Sequence, residues 1–418
     1  MVTAATDRPG TNWAGNVTFR ARSLHRPTSV ARLQELVVRS DRVRALGSGH
    51  SFNRIADTTG DLVSVAALPR RFEIDAAAGT VTVSAGQRFG EFTGDLDAAG
   101  FALHNLGSLP HISVAGACST GTHGSGNGNG ILATAVSGVE LVGADGELRT
   151  LRRGDPGFPG AAVALGALGI VTALTLDVRP SFAMRQTVHE GLRGFDDVAE
   201  VLGAAYSVSL FTYWSGAGFD QVWLKQRVDE TPPPPRWLGT TPADGPRHMV
   251  RGADPAHCTA QGGEPGPWHE RLPHFRLDFT PSSGDELQSE YVVPRAAAVD
   301  ALRALDRIRD RIAPVLHVSE VRSIAADDLW LSPAQGRDGV GLHFTWISDT
   351  AAVEPVVREV EAALDQFDAR PHWGKVFFTA PTRVGDLWPH LGDAEHLLRS
   401  HDPEGTFRNP LVDRYLSR

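Results

Sequence analysis

The chain has 418 residues, 41% apolar and 21% charged, a soluble globular balance that is neither disordered nor membrane-embedded; no run approaches the roughly 20 apolar residues of a bilayer span. At roughly 100–200 residues per domain this length suggests two or three domains. The net charge of −9 argues against a general affinity for nucleic acid or anionic lipid, and two cysteines, Cys118 and Cys258, exclude a disulfide framework or a thiolate metal cage.

The opening stretch, MVTAATDRPGTNWAGN, has no basic, apolar or cleavage-site pattern, so no signal peptide is expected and the protein is read as cytoplasmic. Asn16-Val17-Thr18 fits a glycosylation acceptor, a chance match without export. Ser29 is placed to cap a helix whose apolar Val30, Ala31, Leu33 and Val37 fall at helical spacing before Arg39-Ser40-Asp41. Short strands are predicted over 43–46, 62–65 and 80–83, and a helix over 87–98 on Phe89, Phe92 and Leu96. Residues 104–130, HNLGSLPHISVAGACSTGTHGSGNGNG, are too polar and glycine-rich for a packed element and far exceed the usual connection of about 4–6 residues, as functional loops do. Strands resume over 136–141 and 170–176, completing a β/α layered unit. The alternation breaks at Arg179-Pro180, where a domain boundary is expected. Beyond it come strand-like runs at 208–213 and 221–225, and helices over 296–312 and 353–367. The intervening stretch 228–268 is a proline- and glycine-rich irregular excursion.

Two glycine-rich loops carry the first chemical signal. Gly47-Ser48-Gly49-His50 follows a strand, and the later loop interleaves Gly116, Gly121, Gly124, Gly126, Gly128 and Gly130 with short hydroxyls and amides. Glycine lets backbone N–H groups close on an anion, and small polar side chains add donors, the surroundings a pyrophosphate needs. Neither loop reads G-x-G-x-x-G before a helix, and no G-x-x-x-x-G-K-[ST] occurs, which disfavours a nicotinamide Rossmann site and a P-loop. The remaining common pyrophosphate cofactor is FAD on another scaffold. A zinc site is not expected: His269-Glu270-Arg271-Leu272-Pro273-His274 misses H-E-x-x-H by one position, and Pro273 breaks the helix that spacing requires.

Two period-two pairs carry the second signal. Strand alternation puts Glu320 and Arg322 on one face and His343 and Thr345 on another, a mixture of donors and acceptors suited to a polyhydroxylated ligand. Taken alone they read equally well as the solvated face of an antiparallel sheet, and Lys375, in His372-Trp373-Gly374-Lys375, as a surface lysine.

Together these segments resemble the vanillyl-alcohol-oxidase-type covalent flavoproteins, in their aldonolactone oxidoreductase branch. The resemblance runs over nearly the whole chain, through NWAGN at 12–16, GSGHSFN at 47–53, SLPHISVAG at 108–116 and GTHGSG at 121–126. It continues in LGALGIVT at 165–172, YSVSLFT at 206–212, PGPWHERLPHFR at 265–276, the E-V-R and HFTW segments, and HWGK at 372–375. GSGHS and HWGK are specific to this class, and Glu-x-Arg with His-x-Thr points to its polyol oxidases.

The resemblance implies an α+β fold of two domains: an FAD-binding α+β domain (1–179) and a substrate-binding cap of antiparallel sheet flanked by helices (180–375), with 376–418 returning to the FAD-binding domain. It implies FAD bound covalently through His50 and held by Gly47, Ser48, Gly49, Ser51, Asn53, Gly107, Ser108, Ser113, Gly116, Ser119, Gly121, Thr122, His123, Gly124, Ile170, Val171 and Lys375. Ser108, Glu320, Arg322, His343, Thr345 and Lys375 match its polyol-binding positions. The implied activity takes the terminal C1 hydroxyl of a linear alditol such as xylitol or sorbitol to the aldose. Hydride goes to flavin N5, and dioxygen reoxidises the flavin to give hydrogen peroxide. The alternative is an aldonolactone oxidase or dehydrogenase of the same family. Arg322 and Lys375 would lower the hydroxyl's pKa; because arginine stays protonated, His343 and Lys375 are the two candidates for the base. Gly107 departs from the alanine expected there, and a small residue at that position leaves the flavin open to dioxygen. The implied partners are the polyol and dioxygen, with no nucleic acid, membrane or metal, and the protein is expected to be a monomer.

Overall fold

Ser29 accepts a hydrogen bond from the Arg32 amide at 3.3 Å and starts helix α1 (Val30–Arg39), which buries Leu33 and Val37. The structure is a computed structural model describing residues 9–234, 236–278 and 284–416; the opening eight residues of the segment read for a signal peptide lie outside these. Strands β1 (Ser23–His25), β2 (Val43–Ala45) and β3 (Asp61–Val63) form a small parallel sheet in the order β1-β3-β2. A second, antiparallel sheet joins β4 (Phe72–Asp75), β5 (Thr80–Ser84), β6 (Val136–Val142), β7 (Leu148–Arg152) and β8 (Ile170–Asp177) in the order β4-β5-β8-β6-β7. The long predicted loop 104–130 is not wholly irregular: Val114–Ser119 within it winds into helix α3, burying Val114, Ala117 and Cys118. The helix expected over 87–98 opens instead as a 3-10 turn, Phe89–Glu91. Glu91 accepts from the Arg88 amide at 2.8 Å, and the α-helical part, α2, is Thr93–Ala98. Two glycines, Gly90 and Gly94, weaken the regular helix the apolar spacing suggested.

The larger sheet is antiparallel throughout. Its long strands are β9 (Ala183–Arg193), β10 (Ser207–Thr212), β11 (Gly218–Arg227), β12 (Glu286–Pro294), β13 (Leu316–Ile324) and β14 (Gly339–Ile347), ordered β9-β11-β10-β13-β14-β12. Alternation divides each central strand. Leu287, Tyr291 and Val293, Val321, and Leu342, Phe344 and Trp346 pack with helices α4 (Ala298–Asp306) and α5 (Thr350–Leu364) into one core, while the polar residues between them point the other way. Helix α4 ends at Asp306 and a separate turn, Arg309–Ile312, follows, so the single helix read over 296–312 is two. Asp349 accepts from the Ala351 and Ala352 amides at 3.0 and 3.1 Å, which starts α5 three residues before the predicted Val353.

After the large sheet the chain returns as α6 (Pro381–Leu387), α7 (Leu391–His401) and α8 (Pro410–Tyr415), whose Val384, Leu391, Leu398 and Tyr415 join the core of the first half. Arg44 ties these parts together. Fully buried, it donates to the carbonyls of Leu165, Gly166, Phe407 and Ile55. Among the described residues no helix is long and apolar enough to cross a membrane.

Candidate active site

A cavity of about 870 Å³ lies between the two glycine-rich loops and the polar face of the large sheet. Its loop side is fastened by backbone. Ser48 and Ser113 bond each other reciprocally, amide to hydroxyl, at 3.3 and 3.2 Å, which joins the first loop to the second. Gly47 has to be glycine: a Cβ there would fall on Ser113 Oγ. The N-terminal Asn12-Trp13-Ala14-Gly15-Asn16 braces the same loop, Asn12 donating to the Ser51 carbonyl at 2.9 Å and Asn16 to that of Phe52 at 2.8 Å. Asn16, the residue that matched a glycosylation acceptor, is exposed but spends its amide on the Phe52 carbonyl. Asn53 reaches the other way and donates to the Trp373 and Lys375 carbonyls at 2.8 and 2.7 Å, so loop 47–53 sets the position of the HWGK segment.

His50 faces the cavity with its ring stacked on Trp13, centroids 5.2 Å apart, and its buried Nδ1 has no hydrogen-bond partner among the described residues. Burial pulls this imidazole down to about 4, opposed in part by the Ser48 backbone.

The sheet side is built from side chains. Strand register sets Glu290 opposite His343 and His343 opposite Glu320, a row across β12, β14 and β13, with Arg322 two residues beyond Glu320. Glu290, 1% exposed, sits at the centre. Its carboxylate accepts from Lys375 Nζ at 2.6 Å and Arg322 Nη2 at 3.0 Å, and lies 3.0 Å from His123 Nε2. Gly341, across from Arg322, makes room for it: a Cβ there would come within 3.0 Å of Glu290 Oε1 and 3.2 Å of His123. Arg322 also leans toward Ser108 Oγ at 3.4 Å, and its Nε lies 3.5 Å from Glu320. Lys375 bonds His343 Nδ1 at 2.7 Å, and His343 Nε2 meets Thr345 Oγ1 at 3.1 Å.

Charge follows from this packing. Burial alone would raise the Glu290 carboxyl, but Lys375, His123 and Arg322 hold it well below the usual carboxylate range. Glu320 behaves likewise, burial opposed and outweighed by Arg322 and His274. Burial, with Lys375 alongside, pushes His343 down to about 4, so it is neutral at pH 7. An ammonium is a donor only, hence His343 Nδ1 accepts from Lys375 and its Nε2–H donates to Thr345. Burial also lowers Lys375, with Glu290 opposing.

Comparison with known proteins agrees with this geometry. A family model described as FAD binding domain matches residues 22–152, and one described as D-arabinono-1,4-lactone oxidase matches 285–416. The chain is 53% identical over 407 residues to alditol oxidase from Streptomyces sp., covering 96% of this chain and 97% of that one. The chain belongs to the alditol oxidase family of flavoproteins. It is also 33% identical to L-gulonolactone oxidase of Mus musculus, over 96% of this chain and 97% of that one. Cholesterol oxidase from B. sterolicum shares the fold, with a TM-score of 0.79 at 14% identity over 99% of this chain and 97% of that one. The α+β architecture of vanillyl-alcohol-oxidase-type flavoproteins is therefore this chain's own.

The residues present fit the family's FAD. The loop side offers the glycine backbone, the hydroxyls of Ser48, Ser113, Ser119 and Thr122, and the imidazole of His50, whose buried Nδ1 is unpartnered among the described residues. Of the cofactor positions expected from sequence, Gly47, Ser48, Gly49, His50, Ser51, Asn53, Ser108, Ser113, Gly116, Ser119, Thr122, His123, Val171 and Lys375 line the cavity; Gly107, Gly121, Gly124 and Ile170 do not line it. All six expected polyol positions line it. Their sheet face is buried beneath the loops and is not the solvated face their alternation equally allowed. Sequence reasoning missed Glu290, whose partners are 32 or more residues away in the chain, although Glu286-x-Gln288-x-Glu290 shows the same polar alternation as Glu320-x-Arg322. It also missed His274, which meets Glu320 at 2.7 Å while His269 lies 3.9 Å from Asp97, so the two histidines of HERLPH diverge.

Proposed function

We propose that this chain oxidises the terminal C1 hydroxyl of a linear polyol, of the xylitol or sorbitol kind, to the aldose, with release of hydrogen peroxide. The observation that carries the reading is the buried row Glu290, His343, Glu320 with Arg322, Lys375, Thr345 and Ser108, a wall of paired donors and acceptors facing His50 across one cavity. An extended chain of hydroxyls is matched by such a wall; a simple alcohol leaves most of it unpaired. The 53% identity to a protein named alditol oxidase supports the same substrate class. The loop side, with His50 as the point of attachment in this proposal, would hold FAD, which would supply the two-electron acceptor chemistry for oxidation of the carbinol carbon, with dioxygen as the final acceptor.

The chain's own residues then divide the remaining work. Arg322 presents N–H groups where negative charge develops on the hydroxyl oxygen. His343 is committed at both nitrogens, to Lys375 and to Thr345. Lys375 is therefore the base: in its neutral form two N–H groups serve Glu290 and His343, and the lone pair is left for the substrate hydroxyl. Glu320 accepts from a neighbouring hydroxyl.

The match to the D-arabinono-1,4-lactone oxidase model keeps an aldonolactone as the second reading. Peroxide assays over alditols of increasing length and over aldonolactones separate the two; turnover confined to lactones would overturn the proposal. Within it, Glu320→Ala is expected to lower kcat/KM on xylitol by about a hundredfold or more, and far less on a simple primary alcohol. Equal losses on both would remove Glu320 from hydroxyl recognition.

A further inference from the structure

Beside Glu320, from the cavity-lining His274 back into the sheet at Lys225, lies a second set of buried polar groups. Lys225 on β11 is 1% exposed. Its ammonium donates to the Leu272 carbonyl, to the Pro273 carbonyl at 2.9 Å and to His274 Nδ1 at 3.0 Å, so its three N–H groups meet three acceptors. His274 Nε2 lies 2.7 Å from Glu320 Oε1. The ring is held between Phe211 and Trp223, at centroid distances of 5.7 and 5.2 Å, and cannot swing away. The His274 amide donates to the Ser108 carbonyl at 3.0 Å, so the same residue touches the loop side of the cavity. Two of the Lys225 bonds hold the 272–273 loop, and the third meets His274; a buried amine of this kind is retained only where its donors are paired.

The direction of these bonds is fixed by elementary chemistry. The Glu320 carboxylate can only accept, so the Nε2 that faces it carries the ring proton, and Nδ1 of the neutral ring accepts from Lys225, which burial lowers to about 7. Glu320, which lines the cavity, is thereby engaged at Oε1 by His274 and Arg322, and no hydrogen bond engages its Oε2 among the described residues.

We propose that Lys225 and His274 are positioning residues for the polyol site: Lys225 selects the His274 tautomer, and His274 turns Glu320 so that one carboxylate oxygen stays free for a substrate hydroxyl. This rests on the polyol reading above. Burial, with Lys225 beside it, pushes His274 down to about 4, which keeps the ring neutral as the arrangement requires.

The test uses flavin-loaded enzyme and three variants: Lys225→Met, which removes the donor; His274→Leu, which breaks both bonds; and His274→Gln, whose amide can accept from Lys225 and donate to Glu320 in the same sense. Lys225→Met and His274→Leu are expected to raise KM for xylitol about tenfold or more, the cost of one charge-assisted hydrogen bond, with a smaller change in kcat. His274→Gln is expected to recover most of that loss. Independently of turnover, ¹⁵N spectra of histidine-labelled protein should show the His274 resonance, assigned by its loss in His274→Gln, as Nε2-protonated in the wild type and as mixed tautomers in Lys225→Met. Wild-type KM in Lys225→Met, or His274→Gln falling as far as His274→Leu, overturns the proposal. If Lys225→Met does not fold, the two His274 variants decide it alone. Wild-type enzyme that turns over alditols while the variants disobey this order sinks only the positioning role; wild-type enzyme inert to every alditol sinks the polyol reading and this inference with it.

Discussion

The two walls of the cavity are made on opposite plans. The loop wall, residues 47–53 and 108–123, presents backbone, glycine and short hydroxyls, and its shape depends on atoms that are absent. The sheet wall presents Glu290, Glu320, Arg322 and Lys375, two anions and two cations buried with neutral His343, and its function depends on charges that are present and mutually paired. Added atoms should therefore damage the first wall, and removed charges the second.

The largest effect belongs to the sheet wall. Glu290→Gln preserves size but takes the shared anion from Arg322 and Lys375, which leaves Arg322 only its longer pairing with Glu320 and Lys375 without a carboxylate partner. We expect kcat/KM on a polyol to fall about a hundredfold or more and unfolding free energy to drop by about 3 kcal/mol. Single-turnover flavin reduction and urea titration measure the two. Near wild-type values for both would mean the wall is not organised around this carboxylate.

Next comes an atom added to the loop wall. In Gly124→Ala the new Cβ meets the Leu106 carbonyl and the Asn105 side chain, neither free to retreat, and the strain passes to His123, whose Nδ1 bonds the Gly124 carbonyl at 2.8 Å. A cost of about 1–3 kcal/mol is expected, together with a reduced ratio of flavin to protein absorbance. Full flavin content and unchanged stability would show that the loop tolerates bulk.

Acid acts on both walls together. His50 on the loop side, His274 and His343 on the sheet side, and His104, which does not line the cavity, are all pushed down to about 4, burial being the largest cause in each. Their ordinary value is 6.5, so between about 6.5 and 4 the unfolded chain binds more protons than the folded one, and stability falls as pH falls through that window. Each contributes a slope of about 1.4 kcal/mol per pH unit. Denaturation at pH 7.5, 6 and 5 should show this decline, and His274→Gln should make it shallower; equal stability at all three pH values would contradict the burial of these rings.

The same contrast explains what could be read from sequence. Glycine spacing and short hydroxyls are local, so loop 47–53 and the 108–126 segment were legible, as were Glu320 with Arg322 and His343 with Thr345, because each pair lies two residues apart on one strand. Glu290 was not, since its meaning depends on register: only pairing of β12 with β14 and of β14 with β13 sets it beside His343 and within reach of Arg322 and Lys375. Lys225 and His274 were hidden for the same reason, 49 positions apart in the chain. The helix over 296–312 was overextended because apolar spacing continues across the break after Asp306. Asp349 carried a legible capping signal, four residues before the Val353 from which the helix was read.

The smallest effect tests whether every loop glycine obeys the rule of absent atoms. Gly107 does not line the cavity, and a Cβ there would lie 3.5 Å from Ile112 Cδ1 and 3.6 Å from Thr122 Cγ2, ordinary contact distances. Its φ is not in the left-handed region that would strain an alanine. Gly107→Ala should therefore leave flavin content and kcat/KM unchanged within about twofold and stabilise the fold by about 0.4–1 kcal/mol, since alanine restricts the unfolded chain more than glycine does. Peroxide yield per aldose formed should stay at one, because the added methyl makes only ordinary contacts with Ile112 and Thr122 and displaces neither. Loss of flavin, or uncoupling of aldose from peroxide, would show that position 107 reaches the cofactor after all and that the loop wall extends further back than its lining residues indicate.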